Sequence, residues 1–138
     1  MEGQNLTRKI IGCAYRVFNE LGFGFLESVY EKSMLLELHE SGLNAGSQKP
    51  VSVFYKGNQV GDFAAVIVED KVILELKSVL RLVEAHEVQL VNYLVATGIP
   101  TGLLINFGKN GVEVKRKYRE FQARNSSVET MGFESSDY

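Results

Sequence analysis

The sequence predicts an α/β domain in which helices cover a mixed β-sheet, and three features of its hydrophobic pattern carry this prediction. Before Pro50, apolar side chains recur every three or four residues, which is typical of amphipathic helices. After Pro50, short apolar runs are separated by Gly, Asn and Asp, which is typical of strands and turns. One more helical pattern interrupts the strands, so the predicted order of elements is α-α-β-β-β-α-β-β.

Three amphipathic helices are predicted, and each is followed by a glycine, the residue most often found just past a helix C-terminus. Gly22, Gly42 and Gly98 take this position. The apolar stripe of the first helix includes Cys13, which is therefore predicted to be a core residue. Because Cys13 is the single cysteine, the chain cannot form an internal disulfide or a cysteine zinc site. The predicted helices span residues 6–21, 26–40 and 83–97.

The predicted strands follow from alternating side chains and from turn residues between them. Gly57-Asn58 is predicted as a two-residue hairpin turn, and Asp70-Lys71 as a second one. The predicted strands span residues 51–56, 60–69, 72–78, 102–107 and 112–116.

Length and composition bound the class of protein. The chain has 138 residues, 23% of them charged, which predicts one domain over residues 1–121, followed by a polar tail over residues 122–138 that is predicted to be disordered. A net charge of −2 argues against a surface that binds nucleic acid everywhere, although residues 115–119 form a local basic run or an ordinary solvated strand end. No signal-peptide pattern and no apolar run of about 20 residues is visible, which predicts a cytoplasmic protein without a membrane segment.

The clearest functional signal lies at the end of the third predicted strand, where Glu75 and Lys77 stand two residues apart. Successive strand side chains alternate between faces, so these two project from the same side of the sheet. A carboxylate that holds a divalent cation, beside an ammonium that orients water or phosphate, explains such a pair on an apolar strand. The same spacing also arises by chance in amphipathic strands.

Two helices carry polar residues that fit the same site. His86, Gln89 and Tyr93 are three and four residues apart in the third helix and therefore share one side. They form either a polar edge in water or a set of hydrogen-bonding groups that faces Glu75. Glu27 stands in the first turn of the second helix, where the helix dipole alone already favours an acid.

Together these motifs resemble a known family. Residues 24–30 read Gly-x-x-Glu-x-x-Tyr, and Glu75-Leu76-Lys77, His86-Glu87-Val88-Gln89 and Tyr93 follow. Over about residues 5–118 the chain resembles the GxxExxY proteins of bacteria and archaea, which are placed in the PD-(D/E)XK nuclease superfamily.

This resemblance implies a restriction-endonuclease-like fold and a phosphodiesterase that depends on Mg²⁺ or Mn²⁺. Glu75, the Leu76 carbonyl and Glu27 correspond to the metal site, with Glu27 as an accessory acid from the helix. Lys77 corresponds to the catalytic lysine, and Gln89 and Tyr93 to the Gln-x-x-x-Tyr motif of the exonuclease-like branch. The resemblance implies nucleic acid as the partner, with DNA favoured over RNA. It does not decide whether the protein forms a homo-oligomer.

The chain departs from the family where a second metal-binding aspartate is expected, on the strand before Glu-x-Lys. A two-residue turn at Asp70-Lys71 would pair Glu69 with Val72 and place Val66 opposite Glu75, so Val66 is predicted to occupy the missing-ligand position. Other acids do not replace it, since Asp62 on the same face lies about 13 Å away along the strand.

Two functions therefore follow from the sequence. The first is a nuclease with an impaired metal site, in which Glu27 and Glu75 still bind a cation weakly. The second is a non-catalytic module that keeps the nuclease fold to bind nucleic acid or a protein. A third reading treats Val66 as an engineered or strain-specific change in an active nuclease.

Overall fold

The computed structural model describes residues 3–119, without the side chains of residues 3, 47–50, 63 and 64. In this part of the chain three helices and five strands form in the predicted order, which confirms the α/β class. The predicted tail at 122–138 and the predicted domain end at 121 lie outside the described residues. The elements are α1 (Gly3–Leu21), α2 (Glu27–Glu40), β1 (Ala45–Tyr55), β2 (Asn58–Val68), β3 (Val72–Lys77), α3 (Glu84–Thr97), β4 (Thr101–Gly108) and β5 (Gly111–Tyr118).

The five strands form one mixed sheet in the order β1-β2-β3-β4-β5. Strands β3 and β4 are parallel, because α3 crosses between them, and every other neighbouring pair is antiparallel. This order makes β3, which carries Glu75 and Lys77, the central strand. No helix among residues 3–119 is long and apolar enough to cross a membrane.

Helices cover both faces of the sheet, and the alternation of strand side chains separates two cores. Leu74 and Leu76 pack with α1 and α2 on one face. Ile73 packs with Leu90 and Leu94 of α3 on the other face. Glu75 shares the parity of Ile73, so its side chain belongs to the α3 face of β3.

The first hairpin turn lies one residue earlier than the sequence predicts, and the connection between β2 and β3 begins one residue earlier and is one residue longer. Between β1 and β2, Lys56 and Gly57 have φ of 52° and 79°. Between β2 and β3, Glu69 and Asp70 have φ of 55° and 57°, and the Lys71 amide donates to the Val68 carbonyl at 2.9 Å. Positive φ at both central residues is the geometry of a type I′ hairpin turn.

A long-range contact accounts for the position of the second turn. The amide of Glu69 donates to the Asn44 carbonyl at 2.7 Å, and the Asn44 amide donates to the Glu69 carboxylate at 2.7 Å. These bonds hold Glu69 against the segment after α2. Three residues, 69–71, therefore connect the paired Val68 and Val72, and Val66 pairs with Leu74. The prediction that Val66 lies opposite Glu75 is therefore wrong.

The ladder between β2 and β3 is short, and this creates an opening in the sheet. It joins residues 66–68 to residues 72–74 only, whereas β2 continues to pair with β1 as far as Asn58. The β1–β2 hairpin therefore extends beyond the end of β3 that carries Glu75 and Lys77.

Candidate functional site

Glu75 and Lys77 form an ion pair at the carboxyl end of β3. The Lys77 Nζ lies 3.3 Å from the Glu75 Oε2. The Lys77 side chain is 15% exposed and the Glu75 side chain is 18% exposed. Glu75 and Lys77, which strand alternation places on one face, are therefore in direct contact. The Glu75 carboxylate is thus the partner of the Lys77 amine in a position that is largely closed to solvent.

The middle of α3 brings two more polar side chains to the pair. The Lys77 Nζ donates to the Gln89 Oε1 at 3.3 Å, and the Gln89 Nε2 donates to the Tyr93 hydroxyl at 2.9 Å. Gln89 and Tyr93 are one helical turn apart, which lets both side chains point the same way. Glu75, Lys77, Gln89 and Tyr93 therefore form one continuous chain of polar contacts.

The charges around Glu75 are unbalanced towards the negative. Burial raises the pKa of Glu75 above its ordinary value of 4.5, the ammonium of Lys77 lowers it, and the negative charges of Glu27 and Glu31 raise it further. The pKa of Tyr93 is also raised, by burial and by the charge of Glu75, against the opposing effect of its bond with Gln89. This is the electrostatic setting in which a cation lowers the free energy of neighbouring carboxylates.

A cleft of about 150 Å³ opens where β2 and β3 separate. Carboxylates from α2 and β3 reach it together, and Glu31 is an acid that the sequence reasoning missed. Its position four residues after Glu27 was a usable signal, since residues at this spacing share one helix face. The lining residues are Glu27, Glu31, Ala65, Val66, Leu74, Glu75 and Leu76.

Ala65, rather than Val66, takes the position next to Glu75. Continuing the observed register by one residue places Ala65 beside Glu75, and Ala65 packs with Ile73 on the α3 face. Val66 packs with Leu74 in the core under α1 and α2. A shift of one residue in register moves every side chain of a strand to the other face of the sheet. The sequence prediction makes the β2–β3 connection one residue too short, and it therefore assigns Val66 instead of Ala65 to this position.

The acids of the cleft do not form a complete metal site. Among residues 3–119, no group of three or more His, Cys, Asp or Glu side chains is close enough to hold a metal ion. Ala65 supplies no ligand atom, and Glu75 already contacts Lys77. The residues present therefore do not match the full ligand set that the expected Mg²⁺ or Mn²⁺ requires.

The tyrosine of the Gly-x-x-Glu-x-x-Tyr motif has a structural role. Tyr30 is fully buried, stacks on Phe107 with 4.3 Å between ring centroids, and donates a hydrogen bond to the Gly22 carbonyl. Ser78, just after β3, donates to the Phe25 carbonyl at 2.7 Å. These contacts fix the segment before α2 and thereby place Glu27 at the cleft.

Two further sequence signals have structural explanations. The His86 Nδ1 accepts a hydrogen bond from the Val83 amide at 3.1 Å, which satisfies a free backbone donor at the start of α3. The basic run at residues 115–119 is divided by strand alternation. Lys117 pairs with Glu87 at 2.7 Å, and Arg116 donates to the Thr7 hydroxyl at 3.1 Å.

The fold and this cluster define a nuclease-like domain, in which Glu-x-Lys ends the central strand of a mixed sheet and the following helix supplies Gln89 and Tyr93. A family model described as the PD-(D/E)XK nuclease superfamily matches residues 4–118. The chain belongs to this superfamily. No curated protein and no solved structure matches it.

Proposed function

We propose that this chain is a GxxExxY-type member of the superfamily whose metal-dependent hydrolysis of nucleic-acid phosphodiesters is impaired by Ala65. The observation that carries this proposal is the register of β2 and β3, which pairs Val66 with Leu74 and, continued by one residue, brings Ala65 to the side of Glu75 in a cleft with other acids. The proposal includes DNA rather than RNA as the polymer and the cytoplasm as the compartment.

The roles proposed for the site residues follow from their contacts. Glu75 is the main carboxylate of the cleft, with Glu27 and the Leu76 carbonyl as further oxygen donors. Lys77 is the cationic group for a phosphate, and Gln89 and Tyr93 orient its ammonium. Mg²⁺ prefers near-octahedral oxygen ligands, so a site whose main carboxylate is already paired with Lys77 is weak.

Restoring an acid at position 65 tests the proposal. We expect the unmodified protein to show little Mn²⁺-dependent cleavage of plasmid or single-stranded DNA, whereas Ala65→Asp gains Mn²⁺ binding and cleavage together. Loss of groups that support a metal ion costs about 10–100-fold, so a restored ligand is expected to gain at least that factor. Calorimetric Mn²⁺ titration and cleavage assays on DNA and RNA substrates measure both effects.

Matched variants separate this effect from a general change in charge or size. Ala65→Asn has nearly the size of Ala65→Asp without its charge, and Val66→Asp adds the same charge on the opposite face of β2. Neither is expected to cleave. Strong metal-dependent cleavage by the unmodified chain, abolished by Glu75→Ala, would show that Glu27 or Glu31 already completes the site. Absence of Mn²⁺ binding by a folded Ala65→Asp variant would contradict the role of position 65.

A further inference from the structure

A basic groove lies on the outer surface of α1, away from the Glu75 cleft. Its volume is about 540 Å³. Helix α1 packs on the sheet face opposite to α3, so this groove is separate from Lys77, Gln89 and Tyr93. The lining residues are Asn5, Arg8, Lys9, Gly12, Arg16 and Ser41.

The charge of α1 is one-sided, although the whole chain is slightly acidic. Residues 3–19 contain three basic side chains and no acidic one, against a net charge of −2 for the full chain. All three basic residues line the groove, because Arg8, Arg16 and the central Gly12 stand at four-residue intervals and Lys9 lies beside them. Gly12 keeps the middle of the groove open, since it has no side chain.

Long-range contacts hold the two ends of the groove in place. The Arg16 guanidinium donates to the Glu37 carboxylate at 2.8 Å and to the Ser41 hydroxyl at 3.1 Å. Lys9 Nζ lies 3.5 Å from the Ser41 carbonyl. Glu37 offsets part of the charge of Arg16, which leaves Arg8 and Lys9 as the main cationic groups of the groove.

The groove continues towards β5. A second hollow of about 190 Å³ shares Arg8 and is also lined by Arg116, whose guanidinium is held by the Thr7 hydroxyl at 3.1 Å. Arg8 and Arg16 are eight residues apart, about 12 Å along a helix that rises 1.5 Å per residue. Because one DNA strand carries a phosphate about every 3.4 Å along the duplex axis, this spacing corresponds to between three and four phosphate intervals.

We infer that this α1 groove is a second nucleic-acid site that binds the phosphodiester backbone without reading its sequence. Arg8 and Lys9, with Arg116 on one side and the partly neutralised Arg16 on the other, match a polymer of phosphates better than one free phosphate ion. The inference goes beyond the proposed catalytic function, and it is tested without metal so that the outcome does not depend on cleavage.

Binding of labelled duplex DNA in EDTA, measured over a range of salt concentrations, tests the inference. Changing Arg8→Gln and Lys9→Gln together is expected to weaken binding about tenfold and to reduce the slope of log K against log salt by about 1.8, or 0.9 for each phosphate contact. Lys71→Gln, an exposed lysine in the β2–β3 turn, tests general charge loss and is expected to leave both values nearly unchanged.

A third variant tests the shape of the groove. Gly12→Met keeps every charge but fills the centre of the groove, and it is expected to weaken DNA binding as well. Circular dichroism and thermal melting verify that each variant is folded. DNA binding by Arg8→Gln/Lys9→Gln equal to that of the unmodified chain, or an equal loss in Lys71→Gln, would overturn the inference.

Competition experiments identify the ligand class. Duplex DNA is expected to bind in the presence of inorganic phosphate at matched ionic strength. Full competition by inorganic phosphate would instead assign the groove to a small anion, and binding to phosphatidylserine vesicles without DNA binding would assign it to a membrane surface. Either result would overturn the nucleic-acid site.

Discussion

In the presence of metal, Ala65→Asp is expected to stabilise the protein and Val66→Asp to destabilise it, although the two positions are adjacent. Both native side chains are 6% exposed. Ala65 borders the cleft on the Glu75 face, whereas Val66 packs in the core under α1 and α2. The comparison therefore separates the observed register from the one that the sequence predicts.

The cost of Val66→Asp follows from two losses. Removing a buried valine side chain costs about 1.5–3 kcal/mol. A buried polar group without a partner costs about 1–3 kcal/mol more, and a charged one exceeds this. The sum of about 2.5–6 kcal/mol is a large part of the stability of about 5–15 kcal/mol that is usual for a domain. Metal is not expected to restore any of it.

Ala65→Asp keeps the Cβ carbon of the native side chain and adds a second carboxylate at the cleft beside Glu75. Without metal, the two acids repel and the variant is expected to be less stable than the unmodified protein. With free Mn²⁺ at about 100 times its dissociation constant, binding to the folded state alone adds about 2.7 kcal/mol.

Urea denaturation of both variants, with Mn²⁺ and with EDTA, measures these free energies of unfolding. A gain with Mn²⁺ in Ala65→Asp and none in Val66→Asp is the expected result. The same response to Mn²⁺ in both variants, or a response in Val66→Asp alone, would refute the assignment of Ala65 to the position beside Glu75.

Two further predictions concern buried polar groups. Burial raises the folded-state pKa of Glu75 above 4.5, so the folded protein binds this proton more tightly than the unfolded chain does. The contribution of Glu75 to the free energy of unfolding therefore falls as the pH rises from 4.5 through the raised pKa. Denaturation at several pH values is expected to show this fall and its loss in Glu75→Gln; a fall of the same size in the variant would assign it to other groups. Asn106 is fully buried and bonds to both the amide and the carbonyl of Val79 at 2.9 Å and to Glu113 at 2.7 Å. Asn106→Leu leaves these groups unpaired, which is expected to cost about 2–4 kcal/mol and to speed hydrogen exchange at the Val79 amide; unchanged exchange there would contradict this role.

The strands show where local sequence patterns are insufficient. β1 begins at Ala45, six residues before the predicted strand start at 51. Residues 45–50 read Ala-Gly-Ser-Gln-Lys-Pro and have little intrinsic strand preference, so their strand conformation comes from pairing with β2. Pro50 fits because β1 is an edge strand, where one side of the backbone needs no ladder partner.

Local sequence determined the helices and the pairs of residues that share a face. Glu75 and Lys77 share a face through strand alternation, and Gln89 and Tyr93 through helical spacing, so each pair could be predicted without a structure. The order of elements was predictable for the same reason, since each hydrophobic period spans only a few residues.

Tertiary structure decided how these local units meet. The contact between Asn44 and Glu69 sets the β2–β3 turn and therefore puts Ala65, not Val66, beside Glu75. The α1 groove likewise needs Ser41 to contact Arg16, 25 residues earlier in the chain. Such contacts join segments that no local period relates, so the register of the sheet and the shape of both sites are properties of the folded chain alone.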